Sequence, residues 1–142
     1  MTVRYSEEVL DRVRNPHRAG SLEGEQVGTG EVGTLDEGTV MRIQVRKSGD
    51  RIAEARFKVF GCSAAIASAS LVAEWLEGAA IAEATRLTPE RVVQTLDLAP
   101  EREHVARMAV EAGLKAVENA GGPPSLSHFL GATADRTGVE DD

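Results

Sequence analysis

Cysteine is nearly absent: the 142-residue chain has one, Cys62. No internal disulfide can staple the fold, so stability has to come from packing. Aromatic side chains are scarce as well, at 4%, which leaves no stacking platform for bases or sugars. Cations run short, with 16 Lys and Arg against 23 Asp and Glu and a formal net charge of −7. That deficit argues against a nucleic-acid surface or an anionic membrane as partner. No apolar run approaches the ~20 residues needed to span a bilayer. Residues 1–16 hold no apolar stretch of the signal-peptide kind, so the expectation is a cytoplasmic protein. No internal repeat is visible, and no glycine leads into the Gly-Lys-Ser/Thr of a phosphate loop.

What is present reads as one ordinary domain, 42% apolar and 27% charged. Ser6 caps a short helix that has Glu7 and Glu8 in its first turn, where the helix dipole favours acids, and that Pro16 ends. Residues 17–38 carry Gly20, Gly24, Gly28, Gly30, Gly33 and Gly38 and predict either a loop or a pair of irregular edge strands. Met41, Ile43 and Val45 then alternate with Arg42, Gln44 and Arg46. After a turn over Lys47–Asp50, Ala53, Ala55, Phe57 and Val59 alternate with Glu54, Arg56 and Lys58. This period of two predicts an antiparallel hairpin with one buried and one charged face.

Past Gly61 the period changes. Residues 64–76 predict a largely buried helix stopped by Gly78, and Ile81–Leu87 a short helical connector. Thr88-Pro89-Glu90 is a helix start with Pro at the first position. A long helix over 101–119 has a buried stripe of Val105, Met108, Ala109, Ala112 and Ala116. Gly121-Gly122-Pro123-Pro124 breaks it, and residues 123–142 predict a flexible polar tail after a domain over 1–122. Strands followed by helices point to an α+β domain, a small antiparallel sheet with helices packed on one face.

Chemistry concentrates at Phe60-Gly61-Cys62-Ser63, where the lone thiol precedes a helix of small residues. Helix N-termini carry a positive field that favours thiolates, which bind soft metals and accept sulfur. Free cysteine is equally at home as a small buried hydrophobe. The loop Gly33–Thr39, with Asp36 and Glu37, and the start of the long helix, with Glu103 and His104, can lie beside Cys62, because the hairpin returns the chain to its origin. Glu37 reads as a ligand or a solvated loop acid, and His104 as a ligand or a partner of backbone or Glu103. His17 and His128 fall in loop and tail. No nucleophile–base pair has supporting spacing, so an enzyme is not expected.

The segments Tyr5–Val9 with Asn15-Pro16, Val27–Gly30, Ala55–Cys62 and Ala65–Trp75 resemble the iron–sulfur cluster scaffold family, the IscU proteins and the N-terminal domain of NifU. The resemblance runs nearly gap-free from about residue 3 to 120. It implies that fold, a [2Fe–2S] cluster held by three cysteines with a nearby aspartate and histidine, and two kinds of partner: a cysteine desulfurase and apo iron–sulfur recipient proteins. Residue by residue this chain departs from the pattern. Glu37 stands at the first cysteine position, Thr39 at the aspartate and Val105 at the third cysteine, while Cys62 and His104 are retained. The segment that an Hsp70-type chaperone reads in the family becomes Leu98-Ala99-Pro100-Glu101-Arg102. Its added negative charge weighs against that partner.

A [2Fe–2S] cluster prefers thiolates, with histidine replacing two of them in some centres. Cys62, His104, Glu37 and Asp36 supply only one. Carboxylates suit a single divalent ion better, and Glu37, Cys62 and His104 make a three-ligand set of the kind that holds zinc or iron with one position open. Three readings follow: a divergent scaffold holding iron or a labile cluster at a remodelled site, a mononuclear zinc or iron protein on the same fold, and a non-catalytic partner or regulator of a desulfurase.

Overall fold

The computed structural model describes residues 5–120. The expected tail over 123–142, the boundary at 122 and His128 lie outside these residues. Helix α1 (Glu7–Arg14) begins at Ser6, whose Oγ accepts from the Val9 N–H at 3.2 Å. Three strands follow, β1 (Val27–Thr34), β2 (Thr39–Ser48) and β3 (Arg51–Phe60), paired antiparallel in the order β1-β2-β3. Then come α2 (Ser63–Leu76), α3 (Ile81–Ala84), α4 (Pro89–Leu96), a 3₁₀ turn over Pro100–Arg102 and α5 (Glu103–Asn119). Helices α2 and α5 cover one face of the sheet, and α1 and α4 pack against them from outside. This is the expected α+β arrangement. No helix among the described residues is long and apolar enough to cross a membrane.

The alternation in β2 holds: Met41, Ile43 and Val45 are wholly buried. In β3 it shifts at one end. Arg46 pairs with Glu54 but Lys47 with Ile52, so Ala53 is the extra residue of a β-bulge. Ile52 therefore faces the core and Ala53 the solvent, correcting the expected inward Ala53. The turn is also tighter than expected, two residues, with Gly49 at φ +62°, a value that paired strands demand of a two-residue loop.

Of the two forms expected for the glycine-rich stretch, its second half is a single edge strand. Gly28 and Gly30 are buried in it, because α5 lies with its backbone directly on β1. A Cβ at Gly28 would overlap the Ala116 carbonyl oxygen and the Ala120 nitrogen, and one at Gly30 the Ala112 carbonyl oxygen. Glycine on the strand and alanine on the helix are thus two halves of one close approach. Residues 18–20 line the other edge, with Phe57 N–H donating to the Arg18 carbonyl and Gly20 N–H to the Phe57 carbonyl, both at 2.9 Å.

Polar residues tie the helices to each other and to the sheet. Arg12 is buried between α1 and α2, where its guanidinium meets Glu8 at 2.7 Å, Glu74 at 2.8 Å and Ser70 Oγ at 3.3 Å. Glu77, just past α2, accepts from the Ala55 N–H at 3.0 Å and from Arg56 at 2.8 Å, and lies 3.0 Å from Arg18 Nε. Burial pushes its carboxyl up, but the Ala55 amide, the Arg56 hydrogen bond and the two guanidinium charges outweigh that and hold it below the usual value.

Candidate metal and cluster site

Antiparallel pairing brings the β1–β2 turn and the end of β3 to the same end of the sheet: Thr34 pairs with Thr39 and Val40 with Phe60. Helix α5 runs back against β1, its C-terminal end over Gly28 and its second turn, at Met108, beside Gly33. The start of α5 therefore reaches this end as well. Gly61 closes the arrangement. A Cβ there would press on Thr39 Cγ2 at 3.2 Å and on Ala65 Cβ at 3.2 Å, so the start of β2 abuts the start of α2. The segments bearing Glu37, Cys62 and His104 all meet at one end of the molecule.

Each candidate has a distinct setting. Cys62 is a free thiol at the N-cap of α2, half-buried and packed against the core, with φ −79° and ψ 173°. Its carbonyl accepts from the Ile66 N–H at 3.0 Å, its side chain makes no cap bond, and the first turn of α2 holds no acid. The amide end of the helix is thus left to whatever approaches the thiol. Asp36 and Glu37 are exposed in the turn between β1 and β2. The Glu37 N–H donates to the Thr34 carbonyl at 3.1 Å and to Thr34 Oγ1 at 3.2 Å, and Gly38 at φ +88° lets the chain re-enter the sheet. His104 is exposed in the first turn of α5. Val105, at the third cysteine position of the resemblance, is wholly buried in the core, where an apolar side chain packs and no donor is presented.

The side chains themselves are not gathered. Among the described residues no three His, Cys, Asp or Glu side chains form a group able to hold a metal ion. The fold assembles the segments and leaves Glu37, Asp36 and His104 exposed and the Cys62 thiol half-buried.

Two features of this end escape the motif reading. Thr39 packs beside Gly61 and so sets the spacing between the turn and Cys62. On the outer face of the sheet, Leu35, Val40 and Phe60 form a shallow apolar depression rimmed by Glu31, Arg42 and Lys58. The parity of Phe60 with Lys58 and Arg56 is the sequence signal that it points outward.

The NifU-like N-terminal domain family matches residues 4–122, and the chain belongs to that family. The iron–sulfur cluster assembly scaffold protein IscU of Escherichia coli (strain K12) is 40% identical over 111 residues, covering 76% of this chain and 87% of that protein. Its namesake from Azotobacter vinelandii is 38% identical over 118 residues, covering 81% and 92%. The crystal structure of a nitrogen-fixing NifU-like protein (N-terminal) from Brucella abortus superposes with a TM-score of 0.63 over 80% of this chain and 92% of that one; at 16% identity it bears on the fold alone.

Proposed function

We propose that this protein serves iron–sulfur cluster assembly in the cytoplasm as a scaffold rather than an enzyme, holding iron or a labile [2Fe–2S] cluster at the Cys62 end. A cysteine desulfurase is the supplier in this reading and apo iron–sulfur proteins the recipients; the altered Leu98–Arg102 segment weighs against an Hsp70-type chaperone. The observation that carries the proposal is the convergence of the Thr34–Thr39 turn, the start of α2 and the start of α5 at one end of the sheet. Family membership over residues 4–122 and relatives named as assembly scaffolds support it.

In this reading Cys62 is the soft donor, reached through its exposed side, and the amides opening α2 offset negative charge on bound sulfide. Glu37 and His104 are free to complete the ligand set, and Asp36 is an additional oxygen donor. Because these three sit in solvent rather than around a formed cage, binding has to order them on loading. That ordering has an entropic cost and fits a cargo held loosely and passed on.

A second reading, a mononuclear zinc or iron site, is favoured by the donor chemistry. One thiolate, one imidazole and carboxylates match a single divalent ion better than a two-iron cluster.

The deciding experiment is metal and acid-labile sulfide analysis of anaerobically prepared protein, with and without a cysteine desulfurase and iron, beside Glu37→Ala and Cys62→Ala. Iron with near-equal sulfide, lost in Cys62→Ala, is the expected result. One metal without sulfide would replace it with the mononuclear reading. No metal under any condition would overturn both and favour a regulator of the desulfurase.

A further inference from the structure

The two edges of the sheet are finished differently. Along β3 the chain covers its own edge. The Ile52 N–H donates to the Ala79 carbonyl at 2.9 Å, and the Ile52 carbonyl accepts from the Gly78 N–H at 2.7 Å. The Ala55 N–H goes to the Glu77 carboxylate at 3.0 Å, and Phe57 makes both of its edge bonds with Arg18 and Gly20. Along β1 there is no such cover among the described residues. The Lys47 N–H donates to the Gln26 carbonyl at 2.9 Å, and the pairing then runs without a bulge from Val27 with Arg46 to Thr34 with Thr39. Antiparallel bonding alternates, so Gly28, Gly30 and Val32 bond to β2, while Val27, Thr29 and Glu31 turn their N–H and C=O groups away from it. Of these outward groups only the Thr29 carbonyl has a partner among the described residues, Asn119 Nδ2 at 2.9 Å.

Exposed edges template pairing with another chain, and proteins blunt them with proline, lysine, bulges or a covering segment. The edge of β1, Val-Gly-Thr-Gly-Glu-Val-Gly-Thr, has no proline, no lysine and no bulge, and Glu31 is its one charge. That charge is not used inside the sheet. Glu31 stands directly opposite Arg42 on β2, yet the two make no ion pair, and Arg42 donates to Ser21 Oγ at 3.0 Å instead. An exposed carboxylate beside outward N–H and C=O groups is the complement of an extended, basic chain.

We propose that the edge of β1 docks an extended segment of a partner protein, which adds a fourth strand on the backbone of Val27, Thr29 and Glu31 and sets a lysine or arginine against the Glu31 carboxylate. Main-chain bonds supply the affinity of such a contact, and the cation fixes its register. Asn119 holds the Thr29 carbonyl until the incoming strand takes it over. Strand β1 runs into the turn that bears Asp36 and Glu37, so the added strand brings its owner to the Cys62 end. The inference does not depend on what that end carries.

The test is amide hydrogen exchange of the full chain, read by NMR. In the free protein the Thr29 and Glu31 amides are expected to exchange at least about tenfold faster than those of Gly28 and Gly30. Slow exchange at Thr29 and Glu31 in the free protein would mean that the edge is already covered, by its own chain if independent of concentration and by a second copy if not, and either result overturns the proposal. The probe is a seven-residue peptide alternating lysine with valine. It is expected to slow exchange at Thr29 and Glu31, whereas the same peptide N-methylated at every residue, unable to donate, is expected to have no effect. No slowing by the first peptide, or equal slowing by both, would overturn strand addition. Glu31→Lys is expected to weaken the lysine peptide about threefold or more and to favour a glutamate–valine peptide in its place. An unchanged preference would overturn the assignment of the cation to Glu31. No metal enters any readout, so failure here is separate from failure of the assembly reading.

Discussion

At Gly28 and Gly30 the backbone of α5 lies directly on β1, whereas five residues along the strand, at Gly33, the nearest helix atom is the tip of the Met108 side chain. The same helix and strand are closed at one end and open at the other. The closed end is made of small residues with no spare volume: Gly28, Gly30, Ala112, Ala116 and Ala120. The other end carries half-buried and exposed groups, Met108, Cys62, His104 and the turn with Asp36 and Glu37, beside the wholly buried Val105 and Ala109. Tight contact at one end fixes the frame. In the proposed function the exposed groups of the other end are the donors, so stability and binding fall to different ends of the molecule.

The sharpest way to break the contrast is to add volume at the closed end. Gly30→Val drives a side chain into the α5 backbone and is expected to cost more than about 3 kcal/mol, or to prevent folding, since neither strand nor helix backbone can yield. Thermal melting checks it. A stable, native-like Gly30→Val protein would show that the helix can lift off β1.

Next in size is Arg12→Ala. It leaves Glu8 and Glu74 without their shared cation and opens space between α1 and α2, at a cost of about 2 kcal/mol in urea unfolding. The carboxylates are half-exposed and keep part of their hydration, which holds the loss below that of a fully buried pair.

Glu77 gives a pH test. Its folded-state carboxyl titrates below the usual value near 4.5, so it contributes stability that is fully present above the unfolded value. That stability is lost as pH falls through the folded one. Glu77→Gln is expected to lower stability by about 1–2 kcal/mol at pH 7 and to flatten the acid limb of a stability-against-pH curve below pH 4.5. An unchanged acid limb would contradict the assignment.

The smallest effects belong to Cys62 and Ser68. Cys62→Ala is expected to change stability by less than about 1 kcal/mol while abolishing metal or sulfide retention, the signature of a site residue at the margin of the packed core. Ser68 is wholly buried, and its hydroxyl has no partner among the described residues. Ser68→Ala is expected to be neutral or to stabilise by a few tenths of a kcal/mol, because an unsatisfied polar group is removed.

Much of the fold is legible in local pattern. Alternation at Met41–Val45, the Ser6 cap and Thr88-Pro89 each reflect neighbours in sequence, and each matches the structure. The long helix is displaced only at its start, where a 3₁₀ turn over Pro100–Arg102 precedes α5. Met108, expected in its buried stripe, is only partly buried, its tip lying against Gly33 near the end of β1. The strand over Val27–Thr34 stays ambiguous in the sequence because its glycines answer a helix more than eighty residues away. The bulge at Ala53 is equally invisible, since it depends on register against Lys47. The candidate site is legible only as segments, through the motif around Cys62, and the positions of Glu37 and His104 relative to it are matters of tertiary placement.

The sequence by itself determined the class of this protein: its α+β layering and, through the motifs around Cys62, its membership of the NifU-like N-terminal domain family. These are carried by residue identity and short-range periodicity, which need no partner elsewhere in the chain. Only the tertiary structure decided that Val105 lies in the core, that Glu37 and His104 stand apart in solvent, and that Leu35, Val40 and Phe60 share one exposed face. Each of those outcomes rests on how closely α5 can approach β1 and on how β3 is registered against β2, and such long-range steric fits are set by volumes meeting in space.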